Sequence, residues 1–416
     1  MSAIVLSWGI AAAATAGVIT RPFKWPEAVW AVAGALLLVS LRLLPVDLAI
    51  QAVGKGTDVY LFLFGMMVLS EVGRREGLFD WVAVLAVNHA KGSPKKLFLL
   101  VYLVGVVITA FLSNDAAAVV LTPAVFAAAR RAKTHPLPLL FVCAFIANAA
   151  SFVLPISNPA NLVLYGNHTP ALGMWLMRFT LPSLLSIAAT YALLRWTQRE
   201  ALAGECEANL EPLALSSSGR VALAGIAVTA IVLLTVSAYD IPLGLPTAIL
   251  GALTATVVLI QERKSPLPMI REISWSVLPL VAALFVLVEM LDRTGIITTL
   301  AGIVQRATPH SELATAASAG GIIAIGSNLM NNLPAGLIAS STLMQAHSPE
   351  RVIDALLIGV DLGPNLSITG SLATILWLNA IRREGEDVSF MKFLKVGVVV
   401  MLPALALALA ARILTG

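Results

Sequence analysis

Charge is what this chain has least of. Only 12% of its residues are Asp, Glu, Lys or Arg and 58% are apolar, where a soluble domain carries about 25% charged residues. A mean hydropathy of +0.89 agrees, so most of the chain belongs in lipid. Cysteine is nearly missing: Cys143 and Cys206 supply neither a disulfide framework nor a zinc site. The five histidines (His89, His135, His168, His310 and His347) fall near span ends or in loops. The deep positions therefore offer no metal cluster and no Ser–His or Cys–His pair, so no metal, no cofactor and no enzyme activity is expected. A P-loop ending in Gly-Lys-Ser/Thr is absent, which removes an ATP site. No run of basic and aromatic residues points to nucleic acid. The apolar stretch 4–20 lacks a basic lead and a cleavage site, and reads as a retained span rather than a signal peptide.

What the chain does have is a repeat. FLSNDAAAVVLTPAV around Asn114 is answered by LMNNLPAGLIASSTL around Asn332, and LSEVGRREG (Leu69 to Gly77) by LVEMLDRTG (Leu287 to Gly295). One offset of 218 residues sets Glu71 on Glu289, Arg75 on Arg293, Gly77 on Gly295 and Asn114 on Asn332. PISNPANLVLY answers SITGSLATILW after a slip of six residues. Interrupted apolar segments at matching places in two halves are the sequence mark of a transporter binding site.

The expected fold is an all-α polytopic membrane protein of two inverted-topology repeats. It has about ten transmembrane helices, two re-entrant helical hairpins and two broken helices. Spans are predicted at 4–20, 28–44, 58–73, 172–197, 220–239, 246–261, 275–291 and 390–412. Amphipathic stretches fall at 76–90 and 293–306, hairpins at about 97–129 and 312–346, and broken helices at about 137–166 and 353–381. Residues 1–200 and 220–416 form the two repeats, joined by a polar cytoplasmic linker at 201–219. Lys and Arg concentrate in cytoplasmic loops. The links flanking the first hairpin hold Arg74, Arg75, Lys91, Lys95, Lys96, Arg130, Arg131 and Lys133, against Arg293, Arg306 and Arg351 around the second. The first hairpin thus enters from the cytoplasm, the second from outside, and both termini face outward.

Non-helical backbone at membrane depth survives only inside protein or along a cavity. The two tips and two breaks carry the deep polar groups. Asn114, Asn158, Asn161, Asn332, Asn365, Ser367 and Thr369 are the candidate substrate-binding residues. Asn also forms turns, and Ser or Thr also bond their own helix. Asp115 and Asp361 are the candidate proton-coupling residues, because a carboxylate in the bilayer core costs roughly 2.5–3.5 kcal/mol or more and burial favours its neutral form. Capping a half-helix is the plainer role for an Asp after a break. Glu71 and Glu289 each precede an Arg by four residues and read as interfacial helix pairs, Glu71–Arg75 and Glu289–Arg293.

SNDAAAVVLTPAV, SNPANLVLYG, MNNLP and DLGPNLSITGSLATILWL resemble the signature segments of the arsenite efflux permeases (ArsB) of the ion transporter superfamily, along essentially the whole chain. The resemblance implies export of trivalent arsenic or antimony hydroxide in exchange for protons across a prokaryotic inner membrane. It also implies a cytoplasmic ATPase subunit for some members, and often a homodimer. The chain departs from the family at Asn148, where many members have an acid, and at Asn365, where many have Lys. Two distant thiols point to recognition of the neutral trihydroxide by Asn, Ser, Thr and free half-helix ends. Within the superfamily, a sodium/proton antiporter is the alternative that Asp115 and Asp361 serve equally well. A dicarboxylate carrier would show Ser-Asn-Thr at both tips.

Overall fold

Serines start the key helices. Ser93 Oγ accepts from the Lys96 amide at 3.3 Å and Ser311 Oγ from the Ala314 amide at 3.2 Å. These two residues are 218 apart and open the two interrupted segments. Ser216, Ser371 and Ser389 cap in the same way, each such cap contributing about 1 kcal/mol. The computed structural model describes residues 3–166 and 169–415, in which every regular element is helical. His168 lies outside the described residues.

Six helices are long and apolar enough to cross a membrane: Pro94–Leu112, Leu172–Thr197, Ser217–Ala238, Gly244–Glu262, Glu312–Met330 and Phe390–Leu414. A seventh is the pair Val46–Lys55 and Thr57–Arg75, bent by 51°. This is fewer than the ten expected. Glu27–Ser40 has 14 residues and Val277–Arg293 has 17, short of the roughly 20 that span a bilayer alone. Predicted ends otherwise agree with observed helices to within a few residues. Val46–Lys55 and Leu267–Glu272 were not foreseen, because six to ten residues carry too little periodicity to register.

The halves exchange partners. Thr57–Arg75 packs on Gly244–Glu262 of the second half, and Val277–Arg293 packs on Glu27–Ser40 of the first. Apolar burial drives little association in lipid, so close approach of small residues matters more. Gly65 lies against the backbone of Thr247 and Gly251 against that of Gly65, leaving no room for a Cβ. The same exchange recurs at the interrupted segments. Helix Asn332–Ala346 packs on Pro159–Tyr165, and the segment 114–131 packs on Leu372–Arg383. Both tips and both breaks thereby meet in one place.

The linker is not loose. The Cys206 amide donates to Gly92 O at 3.0 Å and the Glu207 amide to Ala132 O at 2.8 Å. Asn88 exchanges two hydrogen bonds with the Leu210 backbone. It forms a strap across the base of the first interrupted segment.

Candidate functional site at the paired tips

At each tip one residue reverses the chain. Ser113 has φ 105°, ψ 161° and Asn331 has φ 77°, ψ 154°. This backbone region is essentially reserved for glycine, and an L-residue there costs of order 1–3 kcal/mol. The flanking bonds also match under the 218 offset. Ser113 N–H donates to Thr109 O (3.2 Å) and Asn331 N–H to Ser327 O (2.8 Å). Ala117 N–H then donates to Ser113 O (3.4 Å), as Ala335 N–H does to Asn331 O (3.2 Å). The chemistry differs. Asn331 Oδ1 accepts from the Leu333 amide and caps its own helix, whereas Ser113 makes no such cap. After Asp115 the first arm passes through a π-helical turn, Ala117–Leu121, a feature that recurs at functional sites; the second arm stays α-helical.

Asn114, Asp115, Asn158 and Asn332 surround one small void of about 10 Å³, closed by Leu63, Pro159, Val277, Leu333, Leu372 and Ala373. That is space for about one water. No Lys, Arg or His among the described residues borders it. Asp115, Leu63, Pro159 and Val277 also form the inner wall of a cavity of about 480 Å³. This cavity runs along Met66, Met67, Ser70, Val119 and Asn379 to a charged mouth of Glu71, Arg74, Glu272, Arg383 and Glu384. Asp115 thus stands between cavity and void, with no hydrogen-bond or ion-pair partner among the described residues.

Asp361 is wholly buried and does not border the void. Its Oδ1 accepts from Asn158 Nδ2 at 2.8 Å, while Oδ2 has no partner. Asn158 Oδ1 caps the half-helix Pro159–Tyr165 through the Ala160 amide. One side chain therefore joins the void to the buried acid. Asn114 Oδ1 is also buried without a partner.

The other predicted residues face inward to the protein. Asn161 Nδ2 donates to the carbonyls of Ser151, Leu154 and Pro155. Asn365 donates to Phe145 O and accepts from Asn148 Nδ2 at 3.0 Å, pinning the two breaks together. Ser367 donates to Asn328 Oδ1 and Thr369 to Asn328 O. Asn328 also holds Gly363 O. It was missed because its repeat counterpart is Ala110, so symmetry gave no signal. Asp354 was missed as well. It is fully buried and held by Arg412 at 2.7 Å and by the Tyr165 hydroxyl, with Arg178 at 3.8 Å. Among the described residues no group of three or more His, Cys, Asp or Glu side chains is arranged to hold a metal. Cys143 is buried against Leu139 O and Cys206 sits on the strap.

The Glu71 pairing was legible and that of Glu289 was not. Arg75 meets Glu71 at 2.9 Å, and Arg74 grips both Glu71 and Glu272. Glu289 pairs with Lys55 at 2.7 Å rather than with Arg293. The short helix carrying Lys55 is packed against Val277–Arg293 and supplies a closer cation.

Apolar helices in this number, with broken segments meeting at a polar centre, define a multi-pass secondary transporter of the ion transporter superfamily and not an enzyme. The chain belongs to the citrate transporter family (CitMHS), whose profile matches residues 15–359. It is 26% identical over 358 residues to the arsenical pump membrane protein of Yersinia enterocolitica, covering 83% of each chain. It is 25% identical over 367 residues to that of Escherichia coli K12, again covering 83% of each. An uncharacterized transporter of Mycobacterium tuberculosis is 27% identical over 363 residues, 84% of each. In fold it resembles the YdaH transporter of Alcanivorax borkumensis (TM-score 0.57, 16% identity, 91% of this chain and 89% of that one). It also resembles MtrF of Neisseria gonorrhoeae (TM-score 0.51, 15% identity, 88% and 82%).

Proposed function

We propose that this transporter exports trivalent arsenite, and antimonite, as the neutral hydroxide in exchange for protons across a prokaryotic inner membrane. The observation that carries the reading is the void between the tips. Its polar lining is three asparagines and one acid, with no cation beside it. A citrate or other carboxylate anion would meet Asp115 and no counter-charge, whereas a neutral trihydroxide needs only hydrogen-bond donors and acceptors. Similarity to two arsenical pump membrane proteins supports the same substrate.

In this reading residues 1–200 and 220–416 are inverted repeats around the linker 201–219, and the interrupted segments are hairpins entering from opposite faces. The 480 Å³ cavity is the cytoplasmic approach. The one-water void between the tips opens only when they part. Asn114, Asn158 and Asn332 contact the solute. Asn161, Asn365, Ser367 and Thr369 serve the site by holding the two breaks in shape. Asp115 and Asp361 carry protons inward as the hydroxide leaves, linked through Asn158. A cytoplasmic ATPase subunit and a second copy of the chain are partners the family resemblance adds.

The test is arsenite uptake into everted vesicles containing the full chain, with an imposed proton gradient and no ATP. Uptake abolished by a protonophore is expected. Arsenite-independent proton flux driven by sodium would replace this reading with a sodium/proton antiporter. A requirement for an added ATPase would remove proton coupling.

A further inference from the structure

A second polar recess lies far from the tips, at the end of Leu172–Thr197. This cleft of about 340 Å³ is lined by Lys95, Ala192, Arg195, Trp196, Arg199 and Leu202. Three of its six lining residues are cations and none is acidic. Lys95, Arg195 and Arg199 join none of the ion pairs among the described residues. Glu200, the next residue along, does not line the cleft. Three unneutralised positive charges in one recess repel each other and attract an anion.

The recess is built rather than incidental. One turn before Arg195, Tyr191 joins a ring cluster between two helices, with Phe98 and Tyr102 each against it at centroid distances of 5.9 and 5.1 Å. The Tyr102 hydroxyl donates to Ile187 O at 2.6 Å and locks the crossing. Above it the Arg195 guanidinium lies 6.0 Å from the Tyr191 ring, and that of Arg199 lies 5.4 Å from Trp196. Leu202 closes the recess from the side and is only 2% exposed.

Its position selects the anion. Leu172–Thr197 is a candidate span of 26 residues, whose flank exposes Leu181 and Leu184 to the lipid. Trp196, 55% exposed, occupies the last turn, where tryptophans mark the headgroup level of a bilayer. A basic pocket between spans at that depth fits a lipid phosphate. We infer that Lys95, Arg195 and Arg199 form a site for the phosphate headgroup of an anionic phospholipid, with Trp196 alongside its glycerol and upper acyl chain. Lys95 sits in the first turn of Pro94–Leu112, the helix that ends at Ser113. A bound headgroup therefore ties the base of the first interrupted segment to the neighbouring span. This holds whether or not the cargo is arsenite.

The experiment is native mass spectrometry of the full chain in detergent, titrated with phosphatidylglycerol or phosphatidylcholine. It is paired with Trp fluorescence quenching by brominated forms of both lipids in mixed vesicles. Wild type should retain phosphatidylglycerol at least about tenfold more tightly than phosphatidylcholine. The triple variant K95Q/R195Q/R199Q should lose that preference, while K95R keeps it. Trp196→Phe should remove the extra quenching by brominated phosphatidylglycerol. The proposal is overturned if wild type shows no preference or if the triple variant keeps it. Displacement of the lipid by millimolar inorganic phosphate would also overturn it, because it would mark a free-phosphate site.

Discussion

The two tips share a backbone and differ in chemistry. Ser113 and Asn331 adopt the same rare conformation with the same flanking hydrogen bonds, yet Asn331 caps its own helix and Ser113 does not. The first tip adds an acid and a π turn, and it faces the large cavity through Ser113, Asp115 and Ala116. The second tip borders the one-water void, through Asn332 and Leu333. The turn geometry is thus shared across the 218 offset while the side chains around it differ, and the first tip borders the large cavity.

The ion pairs repeat the lesson. Val46–Lys55 precedes Thr57–Arg75 and Leu267–Glu272 precedes Val277–Arg293, and under the 218 offset these short helices correspond. Lys55 of the first reaches Glu289 in the second half, and Glu272 of the second reaches Arg74 and Arg75 in the first. The pairing is reciprocal but the signs are reversed. The Glu272 pair lines the 480 Å³ cavity.

The largest break in this comparison should come from the acids. Asp115→Asn and Asp361→Asn are each expected to cut proton-driven arsenite uptake at least about 100-fold, the order that a positioned proton-transfer group contributes. Uptake retained in the Asp361→Asn protein would make that residue a structural partner of Asn158 only. Next, Asn161→Ala strands two buried carbonyls, those of Ser151 and Pro155, since Leu154 O keeps the Ser157 amide, whereas Asn158→Ala removes one cap and one bond to Asp361. A loss of roughly 1–3 kcal/mol per stranded group makes Asn161→Ala the less heat-stable of the two in a melting assay, and Asn158→Ala the more damaging to transport. At the turns, Ser113→Gly should raise the melting temperature, because relief of about 1–3 kcal/mol of strain exceeds the roughly 0.4–1 kcal/mol of unfolded-chain entropy that glycine adds. Asn331→Gly gains the same relief and loses its cap, so it should be near neutral; equal shifts would mean that the Asn331 cap is worthless.

Smaller effects test the reciprocal pairs. Lys55→Gln and Glu272→Gln should each cost no more than about 1 kcal/mol, as partly exposed ion pairs do. Glu272→Gln should change thiol labelling at Val119→Cys, inside the cavity that Glu272 lines, more than Lys55→Gln does; equal changes would mean that the cavity does not depend on which pair is broken. The least effect belongs to the strap. The Lys133 ammonium holds the exposed Glu207 carboxyl below its ordinary value of 4.5, and Glu207 raises Lys133 above 10.5. The contribution is therefore full at neutral pH. It fades on the acid side as Glu207 protonates and on the alkaline side as Lys133 loses its proton. Protection of the Glu207 amide from hydrogen exchange should fall below about pH 4; loss of that pH dependence in Lys133→Gln would show that the pair carries the effect, and its persistence would show that it does not.

Much of this was legible because a repeat measures itself. The 218 offset located both tips, and the ends of Leu172–Thr197 were read correctly from hydropathy alone. What stayed hidden depends on neighbours remote in sequence. Glu289 sits 234 residues from its Lys55 partner, and Asp354 is 189 residues from Tyr165. Asn161 and Asn365 carried the right chemistry for a site, but which way an amide faces is decided by the loop it closes. The π turn has no periodic signature in five residues.

The strap limits how far the halves can shift independently. It is fastened to the first half at Leu210 and becomes the second half's opening helix at Ser217. Only six residues, 211–216, lie between those points, and the seven steps make a tether of at most about 25 Å when pulled straight. Such a tether has little slack to absorb travel. Any displacement of the first segment's base larger than that reserve must drag the start of the next helix with it, so the linker works as a drawbar between the halves.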